Sequence, residues 1–233
     1  MNMSVKSICR GRVARAFSLT ELLVVMAIIG ILTGILIPVV GSIRDRANTL
    51  QCQGNLRQIH AAMLLYVSEH NDWLPPGPNN GGLTVPQHAN YRLGINNVMT
   101  THLSPYMDLP LDNNVRLNKA FFCPAQPEPA TVRGYSNVRT YGIMASYANG
   151  INYPFGYLSS RPSMQMHDYM EKRNPAVTWM LRDIDQEMSP INTVAPNMAH
   201  RGGRNYLYFD GSIKLLSPEM EQQQADKIAQ GGW

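Results

Sequence analysis

The sequence predicts an α+β chain: a long N-terminal hydrophobic spine helix followed by a head built on a C-terminal antiparallel β-sheet. Three observations carry the prediction. An almost uninterrupted apolar run extends from Leu22 to Val40. Helix-compatible residues with an apolar stripe at helical spacing follow it without a break signal as far as about Asn71. Beyond that point short β-prone runs alternate with Pro, Gly and Asn.

Within Leu22–Val40 only Gly30, Thr33, Gly34 and Pro38 are not strongly apolar or Ala. A helix of about 20 residues matches a hydrocarbon core ~30 Å thick, so the run reaches across a bilayer once positions 17–21 are included. Lys6, Arg10, Arg12 and Arg15 precede it, with no acid among them. By the positive-inside rule these bases hold the N-terminus in the cytoplasm and send everything after about Gly41 to the other side. They also account for the formal net charge of +4, because residues 17–233 carry sixteen bases against sixteen acids. A near-neutral body offers no basic face for phosphates, which excludes nucleic acid as a partner. No A-x-A-like cleavage site follows the apolar run, as an ordinary secretory signal would require. The unusual residue is Glu21, at the head of the apolar helix. A carboxylate at bilayer depth costs roughly 2.5 to 3.5 kcal/mol, so Glu21 either sits at the interface or meets a counter-charge.

The segment Ala16-Phe17-Ser18-Leu19-Thr20-Glu21-Leu22-Leu23-Val24-Val25, behind its short basic leader, resembles the class III signal of type IV pilins and type II secretion pseudopilins. The resemblance implies a pilin-like fold. It implies cleavage between Ala16 and Phe17 by a prepilin peptidase/methyltransferase, with Phe17 becoming N-methylated, although Ala16 stands where the family prefers Gly. It implies that Glu21 pairs with the N-terminal amine of a neighbouring subunit and that Pro38 is the helix-kinking proline of the family. The implied partners are other pilin-like subunits, an inner-membrane assembly platform and the lipid bilayer. The implied location is single-pass in the inner membrane, with the N-terminus cytoplasmic and the head periplasmic, and a filament in the periplasm or at the cell surface. The expected division is a cleaved basic leader (1–16), the transmembrane half of the spine helix (17–40), its exported amphipathic half (41–72) and a loop-rich α+β head (73–233).

Cys52, Leu56, Ile59, Met63 and Tyr66 recur at intervals of 4, 3, 4 and 3, a stripe bordered by Val67 that should pack on the head. Ile43, Ala47 and Leu50 point roughly the opposite way, toward other subunits. The helix should end near Asn71, because Leu74-Pro75-Pro76-Gly77-Pro78 cannot continue it. Runs at 120–123, 140–144 and 177–181 read as short strands, and little further helix is expected before a terminal one over 218–229. Asp210-Gly211, between β-prone runs in 205–216, predicts a hairpin with a two-residue type I′ turn.

His200, nine residues and then Asp210-Gly211 resemble the H-x9-DG motif that ends pseudopilin-like proteins of Planctomycetes, Verrucomicrobia and Lentisphaerae. The blocks around Cys52, Phe122-Cys123-Pro124 and Tyr141-Gly142 resemble those proteins as well. His200 and Asp210 are weighed as metal ligands or an acid–base pair against a loop and a turn, and the loop and turn are favoured. Loss of residues 1–16 removes Cys9 and leaves Cys52 and Cys123, a candidate disulfide in an oxidising compartment, with two separate buried thiols as the alternative. Asp183, Asp185 and Glu187 alternate and are weak Ca²⁺ candidates, a solvated acidic strand or loop being preferred. His60 and His70 do not share a helix face, and His167-Asp168 reads as a polar loop. No nucleophile elbow, P-loop, C-x-x-C, H-E-x-x-H or dinucleotide fingerprint is present, so neither an enzyme nor a required cofactor is expected. The function expected is a pilin-like structural subunit of a secretion pseudopilus or pilus. The alternatives are a bitopic anchor with a periplasmic ligand-binding head and, less favoured, a membrane-tethered hydrolase.

Overall fold

The computed structural model of the protein describes residues 18–78, 82–84, 86–126, 139–144, 153–156, 162–188 and 197–229. The chain forms two compact units, Met1–Arg44 and Asp45–Trp233. Ala16 and Phe17 lie outside the described residues.

Helix α1, Leu19–Glu69, continues through position 38. Its first turn is tied locally, the Ser18 N–H donating to Glu21 Oε2 at 3.0 Å as in one half of a capping box. In the first unit the apolar side chains of α1 are all exposed, Leu22 by 52% and Ile37 by 73%. The one hydroxyl in this run, Thr33 Oγ1, donates to the Ile29 carbonyl at 2.5 Å, so it presents no free donor.

In the second unit the same helix is amphipathic in fact. Cys52, Leu56, Ile59, Met63, Tyr66 and Val67 are buried, while Ala47, Leu50, Leu64 and Leu65 are exposed. The helix stops at Glu69 because Asn71 and Asp72 turn to left-handed φ values of 51° and 68°. Asn and Asp tolerate that region better than other side chains, and the Asp72 N–H caps the last turn by donating to the Val67 carbonyl at 3.0 Å.

The head contains β1 (Pro86–His88), β2 (Asn90–Tyr91), α2 (Met99–Leu103), β3 (Arg116–Leu117), β4 (Arg139–Ile143), α3 (Met166–Glu171), β5 (Trp179–Asp183), β6 (Arg204–Tyr208), β7 (Ile213–Leu216) and α4 (Pro218–Ala229). Five strands form one antiparallel sheet in the order β1-β4-β5-β6-β7, and β2 pairs with β3 apart from it. The predicted α+β architecture is the observed one. Leu181, Leu207 and Phe209 join the α1 stripe in one core, and Tyr206, Tyr208 and Leu216 form a smaller cluster beside it. Strand β6 is therefore buried along its whole length, its polar residues Arg204 and Asn205 included. The pairing of β5 with β6 shifts register between Trp179 and Leu181, a bulge in which Met180 and Leu181 are both buried in the main core.

Three local expectations are corrected. Lys119–Phe121 is a 3₁₀ turn and not part of a strand, because the Asn118 side chain accepts from the Ala120 N–H at 3.0 Å and starts a turn instead. His167 and Asp168 lie in helix α3, whose first turn is anchored when the His167 N–H donates to Asp72 Oδ2 at 2.6 Å. The β6–β7 hairpin closes through three residues, with the Tyr208 N–H donating to the Ser212 carbonyl at 2.9 Å. Of those three residues only Gly211 has positive φ, 83°, so the turn is not the type I′ pair expected at Asp210-Gly211. The longer loop lets Phe209 turn into the core beside Phe155 and Tyr169. Asp210 accepts from the Ser212 N–H at 2.9 Å and holds the turn from its exposed side.

Candidate functional site

The residues singled out by sequence fall into the N-terminal segment, buried polar groups of the head and the turn between β6 and β7. Cys52 on α1 and Cys123 are bonded, with Cα atoms 5.1 Å apart and 71 positions between them in sequence. A bridge closing a loop of that length contributes roughly 2 to 4 kcal/mol to stability.

Against the bridge lies His200. Its Nδ1 is 3.0 Å from Thr49 Oγ1 on α1. Its Nε2 is 3.2 Å from Asp183 Oδ2 at the end of β5 and 3.4 Å from Cys123 Sγ. A proton on Nε2 donates to Asp183, because a carboxylate oxygen only accepts, while the Thr49 hydroxyl faces both Nδ1 and the Asp45 carbonyl, to which it donates at 2.9 Å. Asp183 Oδ2 also accepts from the Asn205 N–H at 2.8 Å and from Asn205 Nδ2 at 3.0 Å. Asn205 Oδ1 in turn accepts from Gln53 Nε2 at 3.2 Å. The polar chain thus leaves α1 at Thr49, crosses His200, Asp183 and Asn205, and returns to α1 one turn later at Gln53. Buried carboxylate, imidazole and amide are tied together through Asp183 Oδ2, and such shared hydrogen bonds hold a core in one arrangement. Across the β4–β5 pairing Tyr141 stands opposite Asp183. Burial, and then the charge of Asp183, push its phenol well above the usual range.

The other end of the C-terminal motif reaches α1 differently. The Phe209 carbonyl lies 3.2 Å from His60 Nε2. A Cβ on Gly211 would stand 2.8 Å from His60 Cε1, so the turn can approach the helix only with glycine there. His200 and Asp210 are accordingly not a pair: one is buried on Asp183 and the other is an exposed turn residue.

Nor do Asp183, Asp185 and Glu187 share a face. Strand β5 ends at Asp183, and Asp185 accepts from the Glu187 N–H at 3.1 Å in a local turn. Asp185 Oδ2, Glu187 Oε2 and Glu221 Oε2 instead surround the Arg204 guanidinium at 2.7, 2.6 and 2.7 Å. Asp183 and Asp185 are each 1% exposed, which replaces the expectation of a solvated acidic strand. Burial opposes the charged guanidinium, but its hydrogen bonds to Asp185 and Glu187 and the charge of Glu221 outweigh that and raise its pKa. Beside this cluster is a cleft of about 570 Å³, lined in part by Trp179, Tyr206 and Gln222. Its aromatic wall is already covered, because the Arg182 guanidinium lies 4.8 Å from the Trp179 ring centroid and donates to the Tyr206 hydroxyl at 2.9 Å.

Sequence reasoning missed Thr49, Gln53, Asn205 and Arg204. A signal existed for the first two. They flank Cys52 on α1, and polar residues beside an apolar stripe mark places where a buried polar partner is to be expected.

The N-terminal segment carries a match to a known family. Residues 11–37 match the family described as the prokaryotic N-terminal methylation motif. The methylation motif covers Ala16, Phe17 and Glu21 and ends before Pro38; it does not reach His200, Asp210 or Gly211. It is consistent with a type IV pilin-like or pseudopilin precursor and implies processing by a prepilin peptidase. No curated protein and no solved structure matches the chain. Helix α1, which begins inside the methylation motif, is long and apolar enough to cross a membrane, and its most apolar stretch is not buried.

Proposed function

We infer that this chain is a pilin-like structural subunit, processed by a prepilin peptidase and assembled into a type II secretion pseudopilus or a type IV pilus. The observation that carries the inference is the methylation motif overlapping an apolar helical segment whose described side chains are all exposed. Such a segment needs an apolar surround, first lipid and then the helices of neighbouring subunits. Before assembly the protein rests in the inner membrane with its head in the periplasm. Glu21 sets register by meeting the N-terminal amine of a neighbour, exchanging its local bond to the Ser18 N–H for an ionic one. The work is mechanical, with no catalytic step and no required cofactor. Filament and membrane neighbours are its partners.

Intact mass and N-terminal sequencing of the protein from host membranes test this. The expected mature chain starts at N-methylated Phe17. A chain that keeps Lys6–Arg15 argues instead for a bitopic anchor with a ligand-binding head. Glu21→Ala gives the second arm: filaments recovered by shearing should be lost while the head keeps wild-type protease resistance.

A further inference from the structure

The disulfide explains Cys52 and Cys123 but not the donors gathered around them. Cys52 Sγ, Cys123 Sγ and a ring nitrogen of His200 all lie within 4.8 Å of one another, and all three residues are buried. Asp183 brings a carboxylate oxygen to 3.2 Å from His200 Nε2, with both side chains 1% exposed. Its second oxygen, Oδ1, is buried without a hydrogen-bond partner among the described residues. A tetrahedral zinc centre with bonds of about 2.3 Å to sulfur and about 2.0–2.2 Å to nitrogen and oxygen places neighbouring ligand atoms roughly 3.3 to 3.8 Å apart. The separations of 3.4 Å from Cys123 Sγ to His200 Nε2 and 3.2 Å from that nitrogen to Asp183 are close to those edges. Thr49 Oγ1, 3.0 Å from Nδ1, supplies what a ligating imidazole needs on its far side, an oxygen to accept the other N–H.

The geometry points to a second state of this pocket, exclusive of the disulfide: once the bridge is reduced, Cys52, Cys123, His200 and Asp183 bind one Zn²⁺ ion. A dithiol reductant delivers two electrons and two protons, the S–S bond breaks to give two thiols, and the reductant leaves as its cyclic disulfide. Zn²⁺ then displaces both thiol protons to solvent and binds the thiolates. The imidazole proton passes from Nε2 to Nδ1, where Thr49 Oγ1 accepts it, and Nε2 turns its lone pair to the metal. The Asp183 carboxylate completes the tetrahedron. Reoxidation by a disulfide oxidant, which accepts the two electrons with two protons from solvent and leaves as its dithiol, reforms the S–S bond and releases the ion, since a disulfide sulfur is no longer an anionic ligand. Thiol state and metal occupancy are therefore coupled in one buried pocket.

The test uses the full chain in detergent with Cys9→Ser, so that only these two thiols remain. The chain is reduced with a dithiol, freed of reductant anaerobically and titrated with Co²⁺ as a spectroscopic probe, then with Zn²⁺ in competition. The expected result is one Co²⁺ per chain with tetrahedral visible bands and thiolate charge-transfer absorption, displaced by Zn²⁺ and abolished by reoxidation. His200→Asn should weaken binding at least about tenfold and alter the spectrum, and Thr49→Val should weaken it about tenfold with the spectrum retained. If the reduced chain loses protease resistance, adding Zn²⁺ should restore it. A reduced chain that gives no tetrahedral spectrum and regains no resistance with Zn²⁺ overturns the proposal. Binding that is unchanged in His200→Asn or in the oxidised chain overturns it as well.

Discussion

The two stretches of α1 share a secondary structure and differ in everything that surrounds it. Up to Arg44 the helix exposes its apolar residues on all sides; from Asp45 onward it buries one stripe and leaves the rest to solvent. The first stretch is a single hydrophobic run, uniform enough to need an external apolar medium. The second is patterned, with Thr49, Cys52, Gln53 and His60 placed at the positions where it meets the head. Uniform hydrophobicity specifies an environment, whereas patterning with a few polar residues specifies particular partners.

Substitutions should divide along the same line. Arg204→Met removes the one cation paired with buried Asp185 among the described residues and should cost the head about 3 to 5 kcal/mol, read as a lower urea midpoint. Cys52→Ser should cost roughly 2 to 4 kcal/mol, and reduction of the wild-type chain in a metal chelator should move the midpoint in the same direction. Gly211→Ala faces both a φ of 83° and the His60 ring, and should cost about 1 to 2 kcal/mol; combining it with His60→Ala should recover the part due to collision. His88 gives a pH signature. Burial, and then neighbouring Arg139, lower its pKa from 6.5 to about 4. The unfolded chain therefore takes up the proton first, and stability should be intact above pH 6.5 and fall as pH drops toward 4, a slope that His88→Gln should flatten. At the bottom of the range, Leu32→Ala lies in the exposed apolar stretch and should shift the head's midpoint by less than about 0.5 kcal/mol. A large effect of Leu32→Ala on the head would break the comparison.

The spine helix was legible because a long apolar run and a stripe at intervals of three and four leave little else for those residues to form. Its end was legible because Asn71, Asp72 and the prolines after them obstruct a helix. The sheet was legible only in outline. Asp210-Gly211 announced a turn, but its length was set by Phe209 finding a place in the core, a tertiary fact with no local signal. The cluster was hidden for a related reason. Thr49 and His200 stand 151 positions apart, and Gln53 and Asn205 stand 152 apart, so no window along the chain contains both members of either pair. Alternation at Asp183, Asp185 and Glu187 suggested three like groups, and only the fold reveals that one belongs to His200 and two to Arg204.

The distance in sequence between α1 and the β6–β7 hairpin also has a temporal side. Every polar link from the helix to that hairpin or to His200 waits for residues made some 150 positions later. At about 5 to 20 residues per second, that is an interval of roughly 8 to 30 s after the helix has been synthesised. For that time the stripe from Cys52 to Val67 lacks part of its permanent cover, and Cys52 has no Cys123 to bond until about half the interval is gone. The head is closed by its last-made strands, so a chain interrupted before β6 lacks Leu207 and Phe209 from the core and every polar link that ties α1 to His200 and the hairpin.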